Sequence, residues 1–151
     1  MVPEMSLDRF IGTWDVEAFV DGKSIGVGAM TTFEWSEDGA FLVERDEGLP
    51  PGPDVPPEWI ENSPFPVVSV IGRDDASDAL TMLYADGRGV RRVYRWSLDG
   101  DTWRMSRDAP GFNQRFTGTF DDDGTTITGT WEMSKDGVEW TKDFDLVYRK
   151  R

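Results

Sequence analysis

Arg92, Arg107 and Gln114 interrupt stretches in which every second residue is large and apolar: Val90 and Tyr94 flank Arg92, Trp103 and Met105 precede Arg107, and Phe112 and Phe116 flank Gln114. An arginine turned into an apolar interior is costly unless it meets an acid or a hydrogen-bonding network. Arg92 and Arg107, with Tyr84, Tyr94 and Gln114, are therefore candidates to hold the acidic head of an amphipathic molecule. Trp103, Phe116, Trp131 and Phe144 are candidates to cover its apolar body. The structural alternative is that Arg92 snorkels out or pairs with Glu34 or Glu44, and that Arg107 points into solvent from a strand end.

Composition closes off most other chemistry. The 151 residues include neither cysteine nor histidine, which removes disulfides, thiol nucleophiles, Cys- and His-based metal sites and His-based triads. A tyrosine can move protons without histidine if neighbouring arginines depress its pKa, so Tyr84 or Tyr94 with Glu34 or Glu44 is the catalytic alternative. No spacing requires it, and no catalytic residue is assigned. Asp121-Asp122-Asp123-Gly124 lacks the remaining ligands of a calcium loop and reads as a solvated hairpin turn. Gly26-x-Gly28 and Gly87-x-Gly89 lack the strand-to-helix setting and third glycine of a dinucleotide fingerprint. No metal and no cofactor is therefore expected.

A net charge of -13 and a pI near 4.3 argue against nucleic acid or an anionic membrane as partner, since phosphate binding needs a basic surface. The start, Met1-Val2-Pro3-Glu4-Met5, has neither a basic nor an apolar leader segment, and no apolar run is long enough to span a bilayer. A cytoplasmic protein is the expectation.

The elements that must position these residues are strands. The length suits one domain, 1–151, that buries roughly 70% of its unfolded surface. Ser6 as an N-cap and Asp8 in the first turn predict about one helical turn that closes the base of a barrel. Gly12 then lets the chain turn sharply, and Trp14 takes the first inward position of a strand in which Val16, Ala18 and Val20 share its face. Alternation and Asp-Gly or related turns place ten strands at 13–20, 25–35, 40–45, 67–73, 79–85, 90–98, 102–107, 112–120, 125–133 and 138–149. Short connections make them antiparallel neighbours, and an up-and-down β-barrel removes their edges. Segment 48–66 contains seven prolines and is expected to be neither central strand nor ordinary helix. It reads as a crossover packing Trp59, Ile60 and Phe65 onto the barrel, as a lid over a pocket, or as both. The inner face is expected to include Leu80, Met82, Trp96, Ile127, Met133, Trp140, Leu146 and Tyr148, with Thr126, Thr128, Thr130, Asp143 and Asp145 outside.

Gly12-Thr13-Trp14 at the opening strand and Asp145-Leu146-Val147-Tyr148-Arg149 at the closing one resemble the calycin group: lipocalins, fatty-acid-binding proteins, avidins and nitrobindin-like proteins. The likeness is greatest to an uncharacterised bacterial lipocalin-like family with a Gly-Thr-Trp start and a Phe-Asp-Leu-x-Tyr finish. It implies an arginine packed across the motif tryptophan, a role that falls to Arg149, so that Gly12, Trp14 and Arg149 form the structural motif. Nitrobindin-like members bind haem through a histidine, which this chain lacks, so histidine-ligated haem does not carry over.

Non-catalytic binding of a small hydrophobic or amphipathic ligand, an anionic one included, is the leading expectation for a monomer or homodimer. A cofactor-free lyase or isomerase in the same barrel is the catalytic alternative. A filled barrel acting as a protein-interaction module is the third reading.

Overall fold

The computed structural model describes residues 7–151. Ten antiparallel strands close into one barrel: β1 (Gly12–Val20), β2 (Lys23–Ser36), β3 (Phe41–Gly48), β4 (Val67–Arg73), β5 (Leu80–Asp86), β6 (Arg91–Asp99), β7 (Thr102–Arg107), β8 (Asn113–Phe120), β9 (Thr126–Ser134) and β10 (Thr141–Lys150). Each strand pairs with its neighbours in sequence, and β1 pairs with β10 to complete the ring. The ten-stranded all-β barrel is thus the architecture that the alternation predicts, and closure leaves no edge strand. Among the described residues, no helix is long and apolar enough to cross a membrane.

A short 3-10 turn, Asp8–Phe10, precedes β1; the expected N-cap, Ser6, lies outside the described residues. Phe10 is fully buried and seals the base. Its ring centroid lies 5.1–5.3 Å from those of Phe33, Trp96, Trp103 and Phe120. Gly12 has φ +129°, a value that side-chain-bearing residues rarely adopt, and it turns the chain so that Trp14 enters the base. The Trp14 indole donates a 2.8 Å hydrogen bond to the Phe10 carbonyl.

Above this layer, Phe116 fills space left by two cross-strand glycines, Gly118 and Gly129. A Cβ added at Gly129 would come within 2.3 Å of the ring. The base is therefore solid, packed by aromatic rings at tilted and edge-to-face angles.

Arg149 does not lie over Trp14. It faces outward and pairs with Glu17 at 3.1 Å. Lys150, the register partner of Trp14, places its ammonium 5.4 Å from the indole ring centroid. The reason is parity: Leu146 and Tyr148 point inward, so Lys150 shares their side and Arg149 takes the other.

The sequence between β3 and β4 forms a strap across the open end. It contains one five-residue helix, α1 (Pro57–Glu61), which the proline content did not lead us to expect. Proline is tolerated there because it occupies the first helical turn. The strap is tied to the barrel by backbone bonds from Gly52 N–H to the Gly26 carbonyl (3.0 Å) and from Gly87 N–H to the Pro64 carbonyl (2.8 Å). Trp59 packs edge-on against Phe144, with centroids 5.2 Å apart, and Phe65 joins the core. Ile60, expected to pack inward, is 54% exposed.

A bulge in β10 between Lys142 and Phe144 changes two more assignments. It removes Asp143 from the outer register. It also leaves Trp140 outside, where the Arg115 guanidinium lies 4.2 Å from its ring centroid. An extra residue in one strand inverts the side-chain alternation on either side of it.

Candidate functional site

Between the solid base and the strap lies a cavity of about 470 Å³, large enough for a small organic ligand. Its floor is aromatic. Trp131 lies 5.2 Å from Phe116 and 5.9 Å from Tyr94, centroid to centroid, and Met82, Met105, Leu146 and Tyr148 complete the apolar walls. Trp59, Pro64 and Phe65 of the strap reach the opening.

Six of the residues singled out in the sequence line this cavity: Tyr84, Arg92, Tyr94, Gln114, Trp131 and Phe144. Three do not. Trp103 and Phe116 are completely buried below it, within the base. Arg107 ends β7 half-buried, 5.9 Å from the Tyr94 ring centroid, and is not a wall residue.

Two polar clusters occupy the side formed by β5, β6 and β8. In one, Gln114 Oε1 accepts hydrogen bonds from Tyr94 Oη at 2.9 Å and Arg92 Nη1 at 3.3 Å. Arg92 also sits 5.4 Å from the ring centroid of Phe112. It therefore meets a neutral network rather than Glu34, which is exposed, or Glu44.

In the other cluster, Asp86 accepts from Tyr84 Oη at 2.8 Å and from Arg88 Nε and Nη2 at 3.0 and 2.6 Å. Burial opposes the Asp86 charge. The bonds from Arg88, Tyr84 and the backbone N–H groups of Arg88 and Val90 outweigh it and hold its pKa down at about 2. Burial, followed by the bond to Asp86, pushes Tyr84 well above the ordinary phenol range.

The adjoining wall, β2 to β4, runs into the first through the cross-strand row Glu44, Ser69, Tyr84 and Arg92, and it carries an acid pair of which the sequence pointed only to Glu44. Glu44 and Asp46 are two apart on β3, so both point inward. Thr31, the cross-strand partner of Asp46, donates to Asp46 Oδ1 at 2.5 Å. Glu44 and Asp46 line the cavity side by side, and each shifts the other's acidity. Burial, then the charge and hydrogen bond of Asp46, hold the Glu44 pKa far above the carboxylate range. Burial also raises Asp46, against the bonds from Glu44 and Thr31 that pull it down. Tyr148, across the floor, is raised by its own burial and by both acids. Burial likewise raises Asp143 near the opening.

The signal for this wall was present but weak. In Phe41-Leu42-Val43-Glu44-Arg45-Asp46 both parities carry apolar residues, so alternation alone does not choose the inner face. Among the described residues, no group of three or more acidic side chains is arranged to hold a metal ion.

No protein-family model matches the chain, and no curated protein matches it in sequence. Among solved structures, the crystal structure of Rv2717c from M. tuberculosis is similar, covering 100% of this chain and 99% of that one. The TM-score is 0.61 at 12% sequence identity. What they share is the fold. At that identity the likeness carries the barrel and nothing about what either protein binds.

Proposed function

We propose that the protein is a non-catalytic binder of a small hydrophobic or amphipathic molecule, held inside the barrel in the manner of the calycins. The observation that carries this reading is the cavity itself: about 470 Å³ between a solid base and a strap, with an aromatic floor and polar groups along adjoining walls. A filled barrel acting only through surface partners is disfavoured by the same space.

The catalytic alternative pairs Tyr84 or Tyr94 with Glu34 or Glu44, but the Tyr84 hydroxyl bonds to Asp86 and that of Tyr94 to Gln114, which leaves Tyr84–Asp86 as the phenol–carboxylate contact. The acidity runs the wrong way for it. A proton-moving tyrosine needs a depressed pKa, whereas burial and Asp86 raise that of Tyr84. Asp86 at about 2 is too weak a base at neutral pH.

The test is native mass spectrometry of the protein as purified, with solvent extraction of any released compound, repeated on Ala18→Phe. Ala18 lines the cavity and is buried, so a phenyl group there blocks the interior. A stoichiometric adduct present in the wild type and absent from the folded variant is expected. An adduct retained by the blocked barrel, or none in the wild type together with no tryptophan fluorescence response to any of a panel of long-chain and aromatic acids, alcohols and amines, would overturn the proposal.

A further inference from the structure

The cavity has a sign. Its lining carboxyls are Glu44, Asp46, Glu58 and Asp143, against the guanidiniums of Arg88 and Arg92. Arg88 is already paired with Asp86 at 2.6 Å. Arg92 is engaged with Gln114 and the Phe112 ring. The acid pair is set immediately above the base, since Glu44 lies opposite Phe33 on β2 and Ser69 on β4. No lysine or arginine lines that wall.

A second, independent feature marks the same place. Tyr148 is 5% exposed and lines the cavity. Its hydroxyl has no hydrogen-bond partner among the described residues, and neither does that of Ser69, also buried and lining the cavity. Neither hydroxyl is sealed in the core; both open on the cavity and are free to bond to what occupies it. Two of them beside two carboxyls make a set of acceptors awaiting a donor.

Resting on the binding function proposed above, we infer that the ligand carries a basic nitrogen, and that a primary or secondary ammonium is received by Glu44 and Asp46, with Tyr148 and Ser69 completing its hydrogen bonds. An ammonium offers donors and a positive charge, matching a wall of acceptors. A carboxylate head would face two acids with no cation beside them. This reverses the anionic-head expectation drawn from Arg92.

Proton balance follows from the site. Burial raises the pKa of both carboxyls, and the neighbouring acid raises that of Glu44 further, so the free pair keeps a proton to higher pH than separate carboxyls do. When an ammonium ion arrives from solution, both carboxyls can ionise and that proton passes to the buffer. The groups that face the pair and set this exchange are Thr31 from β2, Ser69 from β4 and Tyr148 from β10, with Tyr84 and the Asp86–Arg88 pair next in the same cross-strand rows on β5. Binding of an ammonium thus releases up to one proton, whereas a neutral head releases none.

The experiment is calorimetric titration of the full-length protein at pH 7 with two probe series, each of one body and three heads: dodecylamine, dodecanol and dodecanoate, and tryptamine, 3-ethylindole and indole-3-acetate. Each is run in phosphate and in Tris, whose different ionisation enthalpies report the proton count. Within at least one series the ammonium is expected to bind tenfold or more tighter than both other heads and to release a proton. Glu44→Gln and, as a second variant, Asp46→Asn should each lose that preference and that proton while still binding the neutral probe. Binding of neutral or anionic probes as tight as the ammonium, or an ammonium preference that survives in both variants, overturns this inference and leaves the barrel a binder. Absence of binding by all six probes overturns the binding function as well.

Discussion

Tyr84 Oη donates a 2.8 Å hydrogen bond to Asp86 Oδ2, two residues further along the same strand. Both side chains point inward, and Asp86, its side chain fully shielded, is also held by Arg88. The pair is a structural fixture of the cavity rim. Tyr84→Phe should cost about 1 kcal/mol by denaturant unfolding, the usual value of one such bond. It should also raise the pKa of Asp86, now about 2. A carboxyl whose native pKa lies below its unfolded value stabilises the fold above the unfolded pKa, and that contribution is lost as pH falls towards the native one. The difference between wild type and variant should therefore shrink from about pH 4 downwards. A constant difference across that range would show that the phenol and the carboxylate are not linked.

Glu44 has the opposite sign. Burial and Asp46 raise its native pKa well above the ordinary value, so the stability tied to its protonated form is complete below the unfolded pKa, about 4.3, and is lost as pH rises through the native one. Glutamine imitates the protonated acid. Melting curves of Glu44→Gln and wild type should therefore coincide near pH 4, with the variant the more stable at neutral pH. Parallel curves from pH 4 to 8 would mean that folding does not raise the carboxyl's pKa.

Strand count and closure were legible because Asp-Gly turns and alternation recur along the whole chain, and Gly12 with Trp14 marks where the sheet begins. The site was legible on β5 to β9, where one parity is plainly apolar and makes Arg92 and Gln114 stand out. It was not legible on β3. There Val43 faces outward in a stripe with Val70, Leu83 and Val93 at consecutive cross-strand positions, and that stripe masks the inward parity of Glu44 and Asp46. Nor does alternation announce a bulge, so Trp140 and Asp143 exchanged faces, and a one-residue offset at the end of β10 gave Arg149 the place that Lys150 occupies.

Gly129 tests whether the base is as solid as its contacts imply. A methyl group there would lie 2.3 Å from the Phe116 ring and 2.5 Å from a second atom of it, while Phe116 is boxed in by Trp103 and Trp131 at 4.8 and 5.2 Å between centroids. The ring has nowhere to move. Gly129→Ala should destabilise the barrel by about 1–3 kcal/mol, the range for overpacking. Combined with Phe116→Leu, which makes room, it should cost less than the sum of the two single changes. Simple additivity in that cycle would place the strain elsewhere.

The strap poses a kinetic question that the equilibrium fold does not answer. Its backbone anchors at Gly52 and Gly87 lie away from the Trp59–Phe144 contact, so removing one indole leaves the segment tied down while uncovering part of the opening. An edge-to-face pair contributes about 0.5–1.5 kcal/mol, which corresponds to roughly a two- to tenfold change in a rate or equilibrium constant. Trp59→Ala should therefore accelerate dissociation of a bound probe such as dodecylamine several-fold in stopped-flow displacement, with a melting temperature close to that of the wild type. If the strap only connects β3 to β4, association and dissociation will both keep their wild-type rates. If Trp59 is part of the wall rather than the closure, affinity will fall through dissociation while association stays constant. Acceleration of both rates identifies the indole as the group that a ligand must pass.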